Sequence, residues 1–180
     1  TIAERYRSAN HPLLKEEDSV RIIPAGEGVV TLKIEDEQSK FPVNSIIYPN
    51  GETNQKYYSS YARLVKILGL KEEELVDTLA DWIDIDDEPR PYGAETYDYY
   101  NRLSSASASK GAPLDSVQEV FLVKGYTPDV FSKLYPFLTV YSNSRVNINT
   151  APKEVIMALS DEITDDMAQG MIAYREKEPF

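Results

Sequence analysis

The chain has 180 residues, enough for one large domain or two small ones with buried cores. Its 30 acidic and 19 basic side chains give a formal net charge of −11, which argues against nucleic acid or an anionic membrane surface as the main partner. The absence of cysteine excludes disulfide frameworks and thiolate zinc sites, and no apolar run approaches the length that spans a membrane.

The first part of the chain predicts a short polar helix followed by a small β unit. The helix is expected over residues 1–10, ahead of His11 and Pro12. Strands are expected over residues 20–24 and 28–34, which are rich in β-branched side chains, and residues 41–44 are expected to pair again.

Helical periodicity begins near Tyr57. The first helix is expected to end at Gly69, a typical helix stop. Its apolar face comprises Tyr58, Tyr61, Leu64, Val65 and Leu68. Three glutamates, residues 72–74, open a second helix near its positive end. Its predicted buried stripe consists of Leu75, Val76, Leu79, Trp82 and Ile83.

Shorter helices follow a small-residue stretch, residues 104–111, that is expected to be a flexible surface loop. Ser116 and Glu119 have the spacing of a capping box, and Thr127 before Pro128 is a typical helix start. Two more helices are expected after Pro152 and Thr164, the last of them burying Met167, Met171 and Ile172. The pattern as a whole predicts an α+β fold.

The most distinctive pattern is an acidic loop at the end of the second helix. Counting Asp84 as position 1, carboxylates recur at positions 1, 3, 5 and 12, the spacing of a loop that wraps calcium: Asp84, Asp86, Glu88 and Glu95. Pro89 stands where an EF-hand needs glycine, so the pattern indicates calcium-loop chemistry without the EF-hand fold. A solvated acidic loop is the alternative interpretation.

Several short sequence segments, taken together and in this order, resemble the sequences of the type II secretion system minor pseudopilin K family. They are residues 32–37, Asp81-Trp82-Ile83-Asp84, Gly93-Ala94-Glu95, residues 118–125 and residues 146–152. The resemblance extends from about residue 29 to residue 180.

The resemblance implies a type IV pilin-like β region interrupted by a large inserted α-helical domain of SAM-like, helix-hairpin-helix units. The expected divisions are residues 1–55 for the N-terminal helix remnant and β region, 56–144 for the inserted helical domain with the acidic loop, and 145–180 for a second SAM-like unit. A hydrophobic helix is expected before Thr1, and closing strands are expected beyond Phe180.

The same resemblance implies a non-enzymatic role at the tip of the secretion pseudopilus, in pseudopilus assembly and protein export across the outer membrane. The implied partners are the other minor pseudopilins, I and J. The implied location is the periplasm of a Gram-negative bacterium, as a domain of an inner-membrane-anchored protein whose only membrane contact is an N-terminal helix absent from this chain.

Members of this family hold structural calcium in the inserted domain, which agrees with the independent spacing argument. The residues expected to provide side-chain ligands are Asp84, Asp86 and Glu95. Asp87, Glu88 and Asp98 are expected to compete for the remaining positions, together with backbone carbonyls.

Two alternatives stay open. Residues 147–151, followed by two short helices, also resemble a helix-hairpin-helix nucleic-acid-binding protein of the DNA-uptake type. The expected hairpin, residues 160–166, has four acids and no glycine, so we expect a shared fold without phosphate binding. The second alternative is a calcium-stabilised adhesion or scaffold domain.

Overall fold

The computed structural model describes residues 20–142 and 144–180, and within them it shows an α+β fold of five α-helices and four short β-strands. The predicted α+β class is therefore confirmed. The helix expected over residues 1–10 lies outside the described residues. Among the described helices, none combines the length and the apolar character that crossing a bilayer requires.

The two predicted strands form an antiparallel hairpin, β1 (Val20–Ala25) and β2 (Gly28–Lys33). Gly26 reverses the chain between them with a φ of +61°, in the left-handed region that glycine adopts readily. Successive residues of a strand point to opposite faces. Within the described part of the chain both faces stay open, because the exposed side chains are Ile22, Ile23, Val29, Val30 and Leu32.

A second pair of strands joins distant parts of the chain. β3 (Phe41–Pro42) runs parallel to β4 (Leu138–Thr139), and three of the five described α-helices lie between them in sequence. The expectation that residues 41–44 pair again is confirmed for the first two of them. Phe41 is fully buried and stacks on Tyr61 with 5.6 Å between the ring centroids, so β3 is anchored in the helical core.

The main core is built by two helices, α1 (Gln55–Ile67) and α2 (Glu72–Ile83). Both were predicted, and Gly69 turns the chain between them with a φ of +69°. The side chains buried in this core include Tyr61, Leu64, Val65, Leu75, Val76, Leu79, Trp82 and Ile83. Each buried apolar side chain of this size contributes about 1.5–3 kcal/mol to folding.

The predicted capping box at Ser116 is wrong. Val117–Leu122 is a 3₁₀-helix, and within the described part of the chain no capping hydrogen bond reaches the Ser116 side chain. The carboxylate of Glu119 accepts hydrogen bonds from Trp82 Nε1 at 3.1 Å and from the backbone N–H of Asp115 at 2.9 Å. Glu119 thus binds the residue before Ser116 instead of capping Ser116 itself, and its contact with Trp82 connects this segment to α2.

The next helix, α3 (Pro128–Leu134), starts as predicted. Thr127 Oγ1 accepts a hydrogen bond from the backbone N–H of Val130 at 3.3 Å, and Pro128 occupies the first helical turn.

A small second core lies between α4 (Lys153–Ala158) and α5 (Asp165–Arg175). Thr164 begins α5 as predicted, by accepting from the backbone N–H of Met167 at 3.3 Å. The predicted burial of Met167 is wrong, because Ala168 occupies the inward position and leaves the methionine 52% exposed. Met171 and Ile172 pack against this core while remaining partly exposed.

The α4–α5 unit is tied to the rest of the protein by polar contacts. Asp36 Oδ2 accepts from Thr150 Oγ1 at 2.6 Å and from Asn147 Nδ2 at 2.9 Å. From α1, Arg63 Nε donates to the carbonyl of Ala158 at 3.0 Å, at the end of α4. Both helical parts are therefore held in a fixed relation by hydrogen bonds as well as by packing.

Candidate metal centre

Three buried carboxylates converge where α2 ends. Asp81, Asp84 and Glu95 each place one carboxylate oxygen within 4.8 Å of the others, and their exposures are 0%, 1% and 1%. Residues three apart on a helix share a face, so the last turn of α2 directs the two aspartates to the same side. Glu95 approaches from the loop that follows, and the three form the carboxylate cluster.

Arg90 bridges the two aspartates of the cluster. Its Nη1 donates to Asp81 Oδ1 at 2.6 Å and also to Asp84 Oδ2, while its Nη2 donates to Thr53 Oγ1 at 2.9 Å. Asp81 Oδ2 accepts the backbone N–H of Ala94 at 2.8 Å and that of Arg90 at 3.1 Å. Asp81 thus ties the acidic loop to the helix that precedes it.

A second segment of the chain reaches the cluster through Ser109. Its Oγ donates to Glu95 Oε2 at 2.7 Å, and its backbone N–H donates to Thr96 Oγ1 at 3.1 Å. The residue lies in the small-residue stretch that was expected to be a surface loop. Ser109 therefore holds one oxygen of Glu95 and leaves the other, Oε1, buried without a partner among the described residues.

Two oxygens of the cluster have no hydrogen-bond partner within the described part of the chain. Asp84 Oδ1 and Glu95 Oε1 are buried, and no donor from residues 20–142 or 144–180 reaches them. A buried polar atom left without a partner destabilises the folded state by about 1–3 kcal/mol. With one guanidinium among three carboxylates, the ionised cluster also carries uncompensated negative charge. Both deficits would be removed by a divalent cation.

The electrostatics of the cluster agree with this charge deficit. Burial raises the pKa of Glu95 to about 7, and the nearby charges of Asp81 and Asp84 add to the rise while the Ser109 hydrogen bond opposes it. Burial also raises the pKa of both aspartates, although their hydrogen bonds to Arg90 lower it in part. For Arg90, burial acts to lower the pKa, but its contacts with Asp84 and Asp81 prevail and raise it.

Of the six predicted ligands, the structure brings together Asp84 and Glu95. The others, Asp86, Asp87, Glu88 and Asp98, are exposed and lie outside the buried cluster. Asp86 accepts the backbone N–H of Glu88 at 2.9 Å, and Asp98 accepts that of Glu95 at 2.7 Å, so both shape the loop. Asp81 was not among the predicted ligands, although its position three residues before Asp84 on a predicted helix is a signal that indicates it.

Gly93 permits the close approach of the loop to Asp81. A Cβ atom at this position would lie 1.8 Å from Asp81 Oδ2 and 3.0 Å from the backbone nitrogen of Arg90. No side chain fits in that space, which explains why glycine begins the segment Gly93-Ala94-Glu95. Glycine lets the next residue donate its N–H to Asp81, and the residue after it then reaches the cluster.

The raised pKa of Glu95 gives the metal-free protein a defined pH dependence. Its pKa is about 7 when folded against an ordinary value of 4.5, so between these values the unfolded state releases the proton first. Stability should therefore fall as pH rises through this window, on the order of 1–2 kcal/mol. Urea unfolding of chelator-dialysed protein at pH 5 and pH 7.5 measures the change. Glu95→Gln should flatten it, and an equal slope in both proteins would contradict the assignment.

The hairpin between α4 and α5 is the other place where the sequence suggested a ligand. Asp161, Glu162 and Asp166 are exposed there, and Asp165 pairs with Lys153 at 2.6 Å. Acidic groups around a helix start repel phosphate. This surface therefore disfavours the nucleic-acid interpretation.

Comparison with known proteins gives a consistent result over most of the chain. Models described as Type II secretion system (T2SS), protein K match residues 39–143 and residues 146–180. The type II secretion system protein K of Pseudomonas aeruginosa is 30% identical over 158 residues, covering 85% of this chain and 46% of the relative. That of Aeromonas hydrophila is 28% identical over 147 residues, covering 74% of this chain and 44% of the relative. The chain thus spans about half the length of these relatives.

A solved structure has the same fold. It is the crystal structure of the GspK-GspI-GspJ complex from the type 2 secretion system of enterotoxigenic Escherichia coli, with a TM-score of 0.69. The match covers 87% of this chain and 60% of the solved chain at 22% sequence identity, so it shows a likeness of fold.

Proposed function

Because the chain belongs to the type II secretion system protein K family, we propose that it is a minor pseudopilin at the tip of the secretion pseudopilus. The resemblance found in its motifs is confirmed, and the observation that carries the proposal is the match of two consecutive family segments that together cover residues 39–143 and 146–180. The role is non-enzymatic: the protein takes part in pseudopilus assembly and in protein export across the outer membrane.

The distribution of mass supports a place at the filament tip. The five helices that the structure describes form a bulky body beside the short β-strands. In a helical filament each subunit leaves limited space for the one above it, so a bulky helical body fits only at the end. We propose that the strands before residue 55, β1, β2 and β3, belong to a pilin-like region. Residues 56–144 would form an inserted helical domain, to which β4 belongs, and residues 145–180 a second SAM-like unit. The exposed apolar side chains of β1 and β2 support this proposal, since such strands belong in a sheet covered by further layers.

The proposed partners are the minor pseudopilins I and J of the same system, by analogy with the solved complex. The proposed location is the periplasm, on a protein anchored in the inner membrane by an N-terminal helix. Mixing the chain with the soluble domains of I and J should give a ternary complex in size-exclusion chromatography with light scattering. Mixtures of I and J alone provide the control. Failure to form the complex at tens of micromolar protein would contradict the assignment.

We also propose that the carboxylate cluster binds a structural calcium ion. The two unpartnered oxygens and the uncompensated charge support it, and oxygen ligands are those that calcium prefers. Asp81, Asp84 and Glu95 would hold the ion, with backbone carbonyls and water completing the six to eight ligands usual for calcium. The exposed acids Asp86, Asp87, Glu88 and Asp98 stay predictions as further ligands.

Calcium should raise the melting temperature. At a hundredfold excess over Kd, an ion that binds only the folded state adds about 2.7 kcal/mol, which corresponds to roughly 5–10 °C for a chain of this size. Magnesium should have a much smaller effect because it resists full dehydration. Differential scanning calorimetry in millimolar calcium, millimolar magnesium and chelator measures these differences.

Paired substitutions test the calcium assignment. Asp84→Ala with Glu95→Ala should abolish the calcium effect. Asp161→Ala with Glu162→Ala likewise removes one aspartate and one glutamate, but from the exposed hairpin between α4 and α5. This control should leave the calcium effect intact. Identical melting of the wild type in calcium and in chelator would show that the cluster is not a calcium site.

A further inference from the structure

We propose that Arg90 is a tethered counter-ion that competes with the divalent cation for the oxygens of Asp81 and Asp84. This inference rests on the calcium site proposed above and assigns it a built-in regulator of affinity. In the absence of the ion the guanidinium holds the carboxylates together, and on binding the ion displaces it.

The contacts of Arg90 place it on oxygens that a cation would need. Asp81 Oδ2 is committed to backbone N–H groups, so Oδ1, which accepts from Arg90 Nη1 at 2.6 Å, is the oxygen that Asp81 can offer to an ion. The same Nη1 also contacts Asp84 Oδ2. An ion bound at the unpartnered oxygens of Asp84 and Glu95 therefore gains its third carboxylate only when the guanidinium withdraws.

Charge repulsion acts in the same direction. Like charges a few ångströms apart repel each other at the effective dielectric of a protein surface, so a divalent ion beside the guanidinium is disfavoured. Coupling between two binding events is reciprocal. If Arg90 weakens calcium binding, calcium weakens the hold of the cluster on Arg90 by the same factor.

A depression beside Arg90 can accommodate the displaced guanidinium. Arg90 keeps 19% of its side chain exposed and lines a solvent-open depression of about 450 Å³. Glu74 and Asp98 line the same depression and offer carboxylates to the displaced charge. Pro89 and Pro91 flank Arg90, and their fixed φ angles restrict the backbone, so the exchange is a movement of the side chain.

Isothermal titration of calcium into Arg90→Gln tests the competition. We expect this variant to bind calcium about tenfold more tightly than the wild type, within the range usual for coupled sites. Its metal-free form should be less stable, which makes its melting temperature more dependent on calcium. Lys40→Gln is the matched control, since Lys40 also bridges two acids, Glu35 at 3.2 Å and Glu37 at 3.1 Å, away from the cluster. Its calcium affinity should equal that of the wild type.

A second measurement needs no substitution. The ¹⁵N NMR signal of the Arg90 side chain in the wild type should shift on adding calcium, and its N–H exchange should accelerate as the guanidinium leaves the aspartates. Arg90→Lys identifies the signal and keeps the positive charge, so its calcium affinity should stay near that of the wild type. These readouts remain informative if Arg90→Gln fails to fold without metal.

The outcomes separate the two proposals. Tighter binding by Arg90→Gln together with a calcium-dependent Arg90 signal supports the competition. Equal or weaker binding by Arg90→Gln overturns the role of Arg90 while leaving the calcium site in place, as does an Arg90 signal that calcium leaves unchanged. If neither protein binds calcium at millimolar concentration, the calcium site and this inference are both wrong.

Discussion

Gly93→Ala should lower the free energy of unfolding by about 3 kcal/mol, the upper part of the range for overpacking a closely fitted site. The new Cβ would lie 1.8 Å from Asp81 Oδ2 and 2.7 Å from its Cγ, which no side-chain adjustment of the alanine can relieve. Either Asp81 or the loop must move, and each movement breaks the hydrogen bonds of Asp81 to the backbone of Arg90 and Ala94. Calcium affinity should fall with it. Chemical unfolding followed by circular dichroism measures the loss.

Gly170→Ala is the matched control for this substitution. Gly170 lies in α5, and a Cβ there would meet no heavy atom of residues 20–142 or 144–180 within 4 Å. Because alanine is the better helix former, the control should be as stable as the wild type or more stable by about 0.5–1 kcal/mol. A Gly93→Ala variant with wild-type unfolding would show that the loop does not need its close approach to Asp81.

Asp81→Asn should lower the free energy of unfolding by about 3–4 kcal/mol, as expected when one partner of a buried ion pair is removed. Asp81 is fully buried and accepts hydrogen bonds from the side chain of Arg90 and from the backbone N–H groups of Arg90 and Ala94. Asparagine has nearly the same volume but turns one acceptor into a donor. Its amide NH₂ group would therefore point at an N–H donor of Arg90 or Ala94, and the positive charge of Arg90 would be less compensated.

An exposed ion pair provides the comparison for Asp81→Asn. The Asp115 carboxylate pairs with Lys110 at 2.7 Å but is 92% exposed, so Asp115→Asn should change stability by no more than about 0.5 kcal/mol. Equilibrium urea unfolding of both variants under the same conditions measures the difference. Similar small losses in both would mean that water reaches Asp81 and that the pair is not buried in solution.

Much of the helical fold could be predicted because its signals are local. Thr127 and Thr164 lie at the helix starts that their positions indicate, and α1 and α2 have the periodicity that buries Tyr61 and Leu79. The position of Met167 was not predicted, because periodicity alone does not decide which residue of α5 faces inward. In a short helix with a weak apolar stripe, Ala168 can face inward in place of Met167. Only packing against α4 decides which of the two is buried.

The candidate site was predictable only where its residues follow a spacing rule. Asp84 and Glu95 were found because they begin and end a loop of calcium-binding length. Arg90 has no such signal, since a charged residue between two prolines usually faces water. Ser109 comes from a small-residue stretch whose approach to Glu95 depends on the tertiary fold, and no local pattern encodes that contact.

The parallel pairing of β3 with β4 has a consequence for the order of folding. Contacts between α1 and α2 link neighbouring segments and form quickly, whereas β3 must wait for a strand that follows α3 in the chain. Closing so long a loop is entropically unfavourable until the helices have shortened it. We therefore expect the pairing of β3 with β4 to form late, after the helical core on which Phe41 stacks has condensed.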